Sequence, residues 1–319
     1  MNKNFPNSIL QSGSASHISA AAEIINKGGL VAFPTETVYG LGADATNDKA
    51  VAKIFEVKQR PTFNPLIIHF SDKKKVNDIV EIDTKAIKLA KAFWPGALTM
   101  VLPRKKKCNV SLLASAGLKT LAVRVPDHPL AQSFINATGV PIAAPSANKS
   151  GEISPSAAEH VLQSLDNKID VILDGGPCCV GIESTVIDLS ARIPALLRPG
   201  SITHQELESV IGRVSLFQDE TKPPNSPGML YRHYAPSIPL RLNAEKAEPG
   251  EALLAFGQDV SARHANLSRL GDLTEAAANL FAMLRMLDQP EFIGIAVMKI
   301  PNKGLGVAIN DRLKRAATN

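Results

Sequence analysis

The feature of the sequence that most restricts its fold is a series of short apolar runs separated by longer segments with helical periodicity. The runs are four to seven residues long, and most are bounded by Gly, Pro, Ser or Asp, which is typical of buried strands. They are LVAF, PLIIHF, TMVLP, TLAVRVP, PIAAPS, DVILDG, STVIDLS and ALLRP, all between residues 30 and 199. Because strands and helices alternate along the chain, we predict an α/β or α+β fold with a mixed sheet and flanking helices.

Helices are predicted between these runs. Asn47 or Asp48 is the expected N-cap of KAVAKIFEVK, and the spacing of its apolar residues places Lys58 in the last turn. Thr203 and Glu206 form a capping box, which predicts a short helix to about residue 211. PTETVYGLGAD, residues 34–44, is predicted to be a loop because glycines interrupt it. The other predicted helices are 16–28, 127–137, 156–165 and a helix from Asp83 to about Trp94.

The composition of the chain changes after residue 212. Residues 213–239 include QDETKPPNSPGMLYRHYAPSIP, whose repeated prolines predict an extended linker. Beyond it, EALLAFG, LTEAAANLFAMLRMLDQ, FIGIAVMKI and AINDRLKRAA predict a strand, a helix, a strand and a helix. We therefore expect three parts: a domain of residues 1–212, a linker of residues 213–239 and a small domain of residues 240–319.

The composition is that of an ordinary globular protein, with 45% hydrophobic and 20% charged residues. No apolar run reaches the roughly 18 residues of a membrane helix, and the N-terminal segment lacks the apolar core of a signal peptide. We expect a cytoplasmic protein without a membrane partner. The net charge of +5 and pI near 9.0 favour anionic partners such as nucleotides or RNA. Cys108, Cys178 and Cys179 lack metal-ligand spacing, so no metal site is expected.

Common nucleotide-binding and catalytic motifs are weak or missing in the sequence. GLGADA, residues 40–45, matches a variant of the dinucleotide fingerprint, but no acidic residue ends a strand about 20 residues later. The sequence has no P-loop motif and no nucleophile elbow. Any ATP would have to bind without a P-loop.

Polar residues occur where the predicted strands begin and end. Since strand ends meet at the edge of a sheet, these residues are expected to line a common crevice. Three arginines and Lys58 would converge there without matching carboxylates, which is unfavourable unless an anion occupies the crevice. The residues are Thr35, Thr37, Arg60, Asn64, His69, Thr120, Arg124, Ser146, Asn148, Ser184, Thr185 and Arg198.

Each of these residues also has a purely structural interpretation. Arg124 alternates with two valines and could face outward from a strand, and His69 follows two isoleucines, as core histidines often do. APSAN and GGP are typical of turns. The basic runs 73–75 and 104–107 are typical of solvated faces, and they are also a candidate RNA surface. No single residue decides between these interpretations.

In combination, six segments resemble a known family: FPTETVYGLG, KQRPTFNPLIIH, LAVRVPDHP, PIAAPSANKSGEISP, GIESTVIDLS and LLRPGSI. In this order, across about residues 14–202, they resemble the YrdC-like threonylcarbamoyl-adenylate synthase family. SPGMLYRHYAP and GLGVAINDRLKRAA resemble the long form of this family, in which a proline-rich linker leads to a small Rossmann-like domain. The resemblance therefore covers nearly the whole chain.

The resemblance implies a twisted mixed sheet with a concave basic cleft. It implies that ATP, bicarbonate and L-threonine, with Mg²⁺, give L-threonylcarbamoyl-AMP and pyrophosphate, the first step of N6-threonylcarbamoyladenosine formation in tRNA. The product would pass to a tRNA-modifying transferase. Asp44, Glu36 and Glu183 are acids available to the ion, but no dedicated metal cage is expected.

The resemblance also assigns roles to residues. The family's Lys-x-Arg and Ser-x-Asn signatures fall on the implied catalytic residues Lys58, Arg60, Ser146 and Asn148. The family position at residue 144 can carry a threonine and is alanine here, so one side-chain contact is lost. The implied nucleotide-binding residues are Arg60, Asn64, Thr120, Ser146, Ser154, Arg198 and Tyr234. The implied threonine-binding residues are Thr37, His69, Arg124, Ala144 and Ser184.

Two other functions are compatible with parts of the sequence. Carbamoyl-adenylate formation from carbamoyl phosphate occurs on related domains of hydrogenase maturation proteins, but their zinc-finger and acylphosphatase-like modules are not in this sequence. A non-catalytic module could instead bind tRNA or another double-stranded RNA through the cleft and the basic runs. For the synthase, SPGMLYRHYAP is expected to cover the cleft as a lid that excludes water.

Overall fold

The computed structural model describes residues 9–216, 233–258 and 264–318. Most of the predicted linker and lid therefore lies outside the described residues, which resume at His233. In the described part of the chain, no helix combines the length and the apolar character needed to cross a membrane.

The larger sheet contains eleven strands in the described residues, and it is mixed. They are β1 (Ile9–Ser12), β2 (Val31–Phe33), β3 (Gly40–Asp44), β4 (Ile67–His69), β5 (Leu98–Pro103), β6 (Thr120–Arg124), β7 (Ile142–Ala143), β8 (Val171–Asp174), β9 (Thr185–Asp188), β10 (Ala195–Arg198) and β11 (Ser215–Leu216). Their order is β1-β8-β2-β3-β7-β4-β6-β5-β9-β10-β11. Strands β4 and β6 are parallel whereas β5 and β6 are antiparallel, which confirms the predicted mixed sheet.

The helices follow from local signals in the sequence. They are α1 (Ala15–Asn26), α2 (Asp48–Lys58), α3 (Lys73–Val76), α4 (Thr84–Phe93), α5 (Pro129–Thr138), α6 (Ala158–Leu165), α7 (His204–Ile211), α8 (Leu273–Leu287) and α9 (Gly306–Ala316). Asn47 caps α2 by accepting hydrogen bonds from two backbone N–H groups. The predicted capping box of Thr203 and Glu206 is present at α7, with both of its bonds formed.

The two faces of the larger sheet are covered differently. On one face, Ile68, Met100 and Val123 pack with α2, α4, α6 and α7 in the largest core cluster. On the other face, α1 and α5 cover β2 and β8, where the rings of Phe33 and Phe134 lie 5.3 Å apart. The rest of that face, over β4, β5, β6, β9 and β10, carries a smaller cluster of Ile67, Val101, Ala122, Val186 and Leu197. Among the described residues, no helix packs in this cluster, and a cavity lies beside it.

The second sheet is parallel and forms a small unit with α8 and α9. Its described strands are β12 (Leu240–Ala244), β13 (Glu251–Ala255), β14 (Ala265–Asn266) and β15 (Gly294–Met298), in the order β12-β15-β13-β14. Its core also includes Val38, Ile153 and Ile182 from loops of the first unit. The small unit therefore packs directly against the loops that surround the larger sheet.

The segment 34–44, predicted to be a loop, contains the buried strand β3, so that prediction was wrong. A Cβ atom at Gly42 would lie 2.9 Å from an edge carbon of the Phe33 ring. Glycine at position 42 allows the Phe33 ring to approach the strand closely. In a sequence, a glycine required for close packing cannot be distinguished from a glycine required for a turn. The predictions also missed α3 and the short strands β1, β11, β12 and β14.

We expect Ile54→Ala to destabilise the protein by about 2–5 kcal/mol, because it removes a fully buried side chain from the α2 core. Urea unfolding followed by circular dichroism measures the effect. Ile87→Ala is the matched control: it makes the same change in a helix at a side chain that is 59% exposed, and we expect less than about 0.5 kcal/mol. Equal losses in the two variants would contradict the assignment of the α2 face to the core.

Candidate functional site

A cavity lies over the part of the larger sheet that α1 and α5 leave uncovered. Glu183 and His233 line it together with Thr35 and Gly40. Eight residues assigned by the sequence resemblance also line it: Thr37, Arg60, His69, Arg124, Ala144, Ser146, Ser184 and Arg198. Side chains from widely separated segments thus meet at one place.

The floor of the cavity is a face of the sheet. His69 in β4 lies directly opposite Arg124 in the parallel strand β6. Ile67 and His69 line the cavity, whereas Ile68 between them lies in the core on the other face. His69, Arg124 and Arg198 are the last residues of β4, β6 and β10. This agrees with the crevice expected at the strand ends. Arg124 is 3% exposed, which excludes the outward-facing interpretation.

A β-bulge directs Arg198 into the cavity. In the antiparallel pair of β9 and β10, Leu196 lies opposite Ile187, and Arg198 lies opposite Val186. Leu197 is thus an extra residue, and it shifts Arg198 from the core face to the cavity face. Regular alternation would have placed Arg198 on the same face as the core residue Leu196.

Main-chain carbonyl groups hold Arg60 and Arg198 in place. Arg60 donates from Nε to the carbonyl of Asn64 at 3.0 Å and from Nη2 to that of Pro65 at 2.8 Å. Arg198 donates from Nε and Nη2 to the Ser184 carbonyl at 3.1 and 2.9 Å. Burial, and next the charge of Arg198, lowers the pKa of Arg60 to about 9. Both charges are desolvated, so an anion in the cavity would be bound favourably.

Lys58 lies beside the cavity wall. It ends α2, and its ammonium group donates to the carbonyl oxygen of Ser146 at 2.6 Å and to that of Asn148. Burial, and next the charge of Arg60, lowers the pKa of Lys58 well below its usual value. Lys58 thus fixes the backbone of the Ser-x-Asn segment, and its direct contact with a phosphate stays a prediction.

Arg124 has a carboxylate partner, contrary to the expectation of cations without matching acids. Its Nη2 lies 2.7 Å from Oε1 of Glu36, and both side chains are buried. Its Nη1 donates to Thr37 Oγ1 at 2.9 Å, and its Nε donates to the Gly96 carbonyl at 3.2 Å. Nε and Nη1 are therefore hydrogen-bonded, whereas Nη2 lies close to Glu36 without forming a hydrogen bond among the described residues. The hydrogens of Nη2 and the second hydrogen of Nη1 remain for a ligand.

Six assigned residues do not line the cavity in the described structure: Lys58, Asn64, Thr120, Asn148, Ser154 and Tyr234. Thr120 begins β6, at the opposite end from Arg124. Ser154 lies behind the wall and donates to Glu183 at 2.5 Å. The amide of Asn148 closes its own loop by donating to the carbonyls of Lys149 and Glu152.

Among the described residues, buried polar atoms near the cavity without a hydrogen-bond partner belong to Glu36, Asn64, Arg124, Asn148, His233 and Tyr234. Two of these are assigned nucleotide-binding residues: Asn64, with its side-chain amide, and Tyr234, with its hydroxyl. Buried polar groups are nearly always paired in folded proteins, so unpaired groups beside a cationic cavity indicate a ligand-binding role. This supports the nucleotide-binding assignment of both residues, which itself stays a prediction.

Sequence reasoning missed the roles of Glu36 beside the cavity and of His233 in its wall. Glu36 was predicted only as an acid available to Mg²⁺, and nothing local pairs it with Arg124, which is far away in the chain. His233 precedes the assigned Tyr234 in the RHYAP motif, and the centres of the two rings lie 4.0 Å apart. The motif could therefore have predicted that His233 lies at the cavity.

We expect the imidazole of His69 to remain neutral between about pH 5 and pH 8. Burial, and next the charge of Arg124, lowers its pKa to about 3, so the folded protein does not protonate it in this range. Long-range ¹H–¹⁵N NMR spectra measure this, with the resonance assigned by its loss in His69→Gln. A His69 titration with a midpoint near pH 6.5, the usual value, would overturn the buried placement.

Comparisons with known proteins identify the family. The profile of the Sua5/YciO/YrdC family, described as "Telomere recombination", matches residues 23–200, and that of the "Threonylcarbamoyl-AMP synthase, C-terminal domain" matches residues 202–318. A protein of Bacillus subtilis named threonylcarbamoyl-AMP synthase is 44% identical, over 94% of this chain and 92% of its own length. A protein of the same name from Pyrococcus abyssi is 42% identical, over 94% of each chain.

A solved structure extends the similarity to three dimensions. The crystal structure of Pyrococcus abyssi Sua5 complexed with L-threonine has a TM-score of 0.90 to this chain at 40% identity, covering 97% of this chain and 98% of its own. The fold expected from the sequence resemblance is thereby confirmed. The chain belongs to the Sua5/YciO/YrdC family, and its second profile match places it among the members that carry the threonylcarbamoyl-AMP synthase C-terminal domain.

Proposed function

We propose that this enzyme is an L-threonylcarbamoyladenylate synthase, a nucleotidyltransferase that converts L-threonine, bicarbonate and ATP into L-threonylcarbamoyl-AMP, pyrophosphate and water. The observation that carries this proposal is the convergence of the buried Arg60, Arg124 and Arg198 on one cavity. The names of the relatives and the L-threonine in the Pyrococcus abyssi structure support it. The product would begin N6-threonylcarbamoyladenosine formation in tRNA.

The reaction requires two new bonds. The amine of threonine attacks the carbon of bicarbonate, and water leaves as the C–N bond of the carbamate forms. A carbamate oxygen then attacks the α-phosphorus of ATP, and the bond to pyrophosphate breaks. Negative charge is concentrated on the phosphoryl group and the leaving group, so positioning and positive charge supply most of the catalysis. No nucleophilic side chain is required.

On the nucleotide side, we assign the phosphates to Arg60 and Arg198. Two nitrogens of Arg60 are used by carbonyl groups, and Nη1 bonds to none of the described residues. Lys58 contributes its charge and holds the Ser146–Asn148 loop in shape. The remaining nucleotide contacts in this proposal come from Asn64, Thr120, Ser146, Ser154 and Tyr234.

On the amino-acid side, the Nη hydrogens of Arg124 that form no hydrogen bond with the described residues would bind the carboxylate of threonine. Thr37, His69 and Ser184 would supply hydrogen bonds to the rest of the molecule. Ala144 cannot contribute a side-chain hydrogen bond, but its methyl group and Ile67 line the cavity and offer apolar contact to the threonine methyl group. This predicts a preference for threonine over serine.

The residues at the cavity do not form a cage for Mg²⁺. Glu36 is paired with Arg124, and Glu183 is paired with Arg312. Among the described residues, no group of three or more His, Cys, Asp or Glu side chains could hold a metal ion. We therefore propose that Mg²⁺ enters as part of the MgATP substrate, and no step above depends on a protein-bound ion.

The organisation of the chain is consistent with this activity. We propose a catalytic domain of residues 1–212, a linker of residues 213–239 and a C-terminal domain of residues 240–319, because the second sheet begins at Leu240. In this proposal the enzyme works in the cytoplasm and passes its labile product to a tRNA-modifying transferase.

Mass spectrometry of the products tests the proposed reaction. We expect the purified protein to form threonylcarbamoyl-AMP from ATP, bicarbonate and L-threonine. L-serine should be used with about tenfold or more lower kcat/KM, because it lacks the buried methyl group.

We expect Lys58→Ala and Arg60→Ala to lower threonine-dependent pyrophosphate release by on the order of 10²-fold. Lys49→Ala, an exposed lysine of the same helix as Lys58, is the control. Wild-type rates in both cavity variants would defeat the assignment.

A second candidate function, binding of tRNA or another double-stranded RNA, is supported by the placement of the two basic runs. Val80 and Arg104 form an antiparallel bridge, and the Lys105 N–H donates to the Ile79 carbonyl at 2.9 Å. The runs 73–75 and 104–107 therefore adjoin each other on one surface. Adjacent exposed lysines fit the spaced phosphates of a nucleic-acid backbone.

Salt-dependent binding of a double-stranded RNA tests this surface. If the surface is used, Lys106→Gln/Lys107→Gln should weaken binding and reduce the slope of log K against log salt by about two. The matched control is Lys88→Gln/Lys91→Gln, which removes two exposed lysines of α4. Equal effects of the two pairs would exclude the basic runs as the RNA surface.

A further inference from the structure

Arg312 is a charged residue in the core of the C-terminal unit. It lies in α9 on the same face as Ile309 and Leu313, and it is completely buried. Among the described residues it is the largest side chain with this degree of burial. A buried guanidinium is unfavourable unless several partners compensate its charge. The partners of Arg312 therefore identify the segments that it stabilises.

Those contacts lie mainly in the catalytic unit. Nε of Arg312 lies 3.0 Å from Oε2 of Glu183, and Nη1 donates to the Pro199 carbonyl at 2.8 Å. Asp311 supplies a second carboxylate at 2.9 Å from Nη1. The guanidinium carbon also lies 5.5 Å from the ring centre of Tyr234, within the range of a cation–π contact. One side chain thus contacts three separate segments.

Each contacted segment carries a residue of the cavity wall. Glu183 lines the cavity and precedes Ser184, whereas Pro199 follows Arg198. Ser184 and Arg198 are joined to each other, since Nη2 of Arg198 donates to Ser184 Oγ at 3.1 Å. Tyr234 follows His233, which also lines the cavity. A displacement of Arg312 would therefore move several parts of the wall together.

We propose that Arg312 is a positioning residue through which the C-terminal domain completes the synthase site. Its separate N–H groups fix the Glu183–Ser184 segment relative to the Arg198–Pro199 segment, and its charge keeps Glu183 ionised. The C-terminal domain is then a structural part of the active site, and it is more than a domain attached by the linker. This inference rests on the proposed synthase activity.

The charge of Glu183 connects Arg312 to pH. Burial alone would raise the pKa of Glu183, but Arg312, and next Arg198 and the Ser154 hydroxyl, hold it at about 2. If Arg312 loses its charge, the burial remains, and the pKa of Glu183 rises. Glu183 would then take up a proton at a higher pH than in the wild type. The charged and titratable groups that interact with it are Lys58, Arg198, His233, Tyr234 and Arg312, and Asp311 faces Arg312.

A merely structural role for Arg312 would predict a different result, and the C-terminal unit contains a suitable control. Arg241 forms an ion pair with Glu251, with Nε donating to Oε1 at 2.9 Å, and it does not contact the cavity wall. The same substitutions at Arg241 perturb an arginine–carboxylate pair of this unit without touching the site. Effects that appear only at Arg312 therefore cannot come from loss of an ion pair in general.

The experiment measures formation of threonylcarbamoyl-AMP, melting temperature and the pH profile of kcat/KM. Arg312→Lys keeps the charge but loses the separate N–H groups, so we expect kcat/KM for ATP to fall by about tenfold. The acid limb of the pH profile of kcat/KM should stay at the wild-type pH. Arg312→Met loses both, so kcat/KM should fall further and the acid limb should move to higher pH by at least about one unit. Adding Glu183→Gln to Arg312→Met should abolish that shifted limb. The controls are Arg241→Lys and Arg241→Met.

The outcomes separate this inference from the proposed function. A wild-type protein that forms no threonylcarbamoyl-AMP would reject the function itself. An active wild type whose Arg312→Lys variant has kcat/KM within twofold of Arg241→Lys would overturn the positioning role, even if Arg312→Met does not fold. An unchanged acid limb in a folded Arg312→Met variant would overturn the proposed effect on Glu183.

Discussion

The structure depends on burying positively charged side chains that main-chain carbonyl groups solvate but do not neutralise. Lys58 and Arg60 are at most 7% exposed, and each donates to carbonyl oxygens of neighbouring loops. Removing an ion from water costs several kcal/mol, and carbonyl dipoles recover only part of this. The rest is available to an anion. The bonds that fix these loops therefore also favour an anion in the cavity, as the proposed binding of ATP requires.

The part of the cavity that we propose for the amino acid has a different charge balance. Arg124 is accompanied by Glu36, so this pair adds no net charge to its surroundings. A free amino acid carries both an ammonium and a carboxylate, and a neutral pair of opposite charges suits such a ligand better than a lone cation. Arg60 lies elsewhere on the wall, and the hydrogen bonds of its guanidinium to the described residues go to uncharged carbonyl groups. The cavity therefore has a neutral part at the Glu36–Arg124 pair and a cationic part at Arg60.

Features that depend on neighbours in the sequence were predictable, and features that depend on pairing between distant segments were not. The Asn47 cap and the capping box of Thr203 were predicted because each involves residues two or three positions apart. The bulge at Leu197 leaves no local signal, because it exists only relative to the register of β9. The ion pair of Glu36 and Arg124 is equally invisible, since nothing in either segment specifies the other.

The family motifs located most of the cavity, but they did not explain how the C-terminal unit contributes to it. A usable signal was nevertheless present in α9, where Arg312 occupies a position of the apolar face between Ile309 and Leu313. A helix that buries an arginine requires compensating charge. Asp311 of the same helix supplies one carboxylate, and the other, Glu183, comes from outside the unit. A charged residue in an apolar stripe can therefore indicate a domain interface, although only the three-dimensional structure identifies the partner.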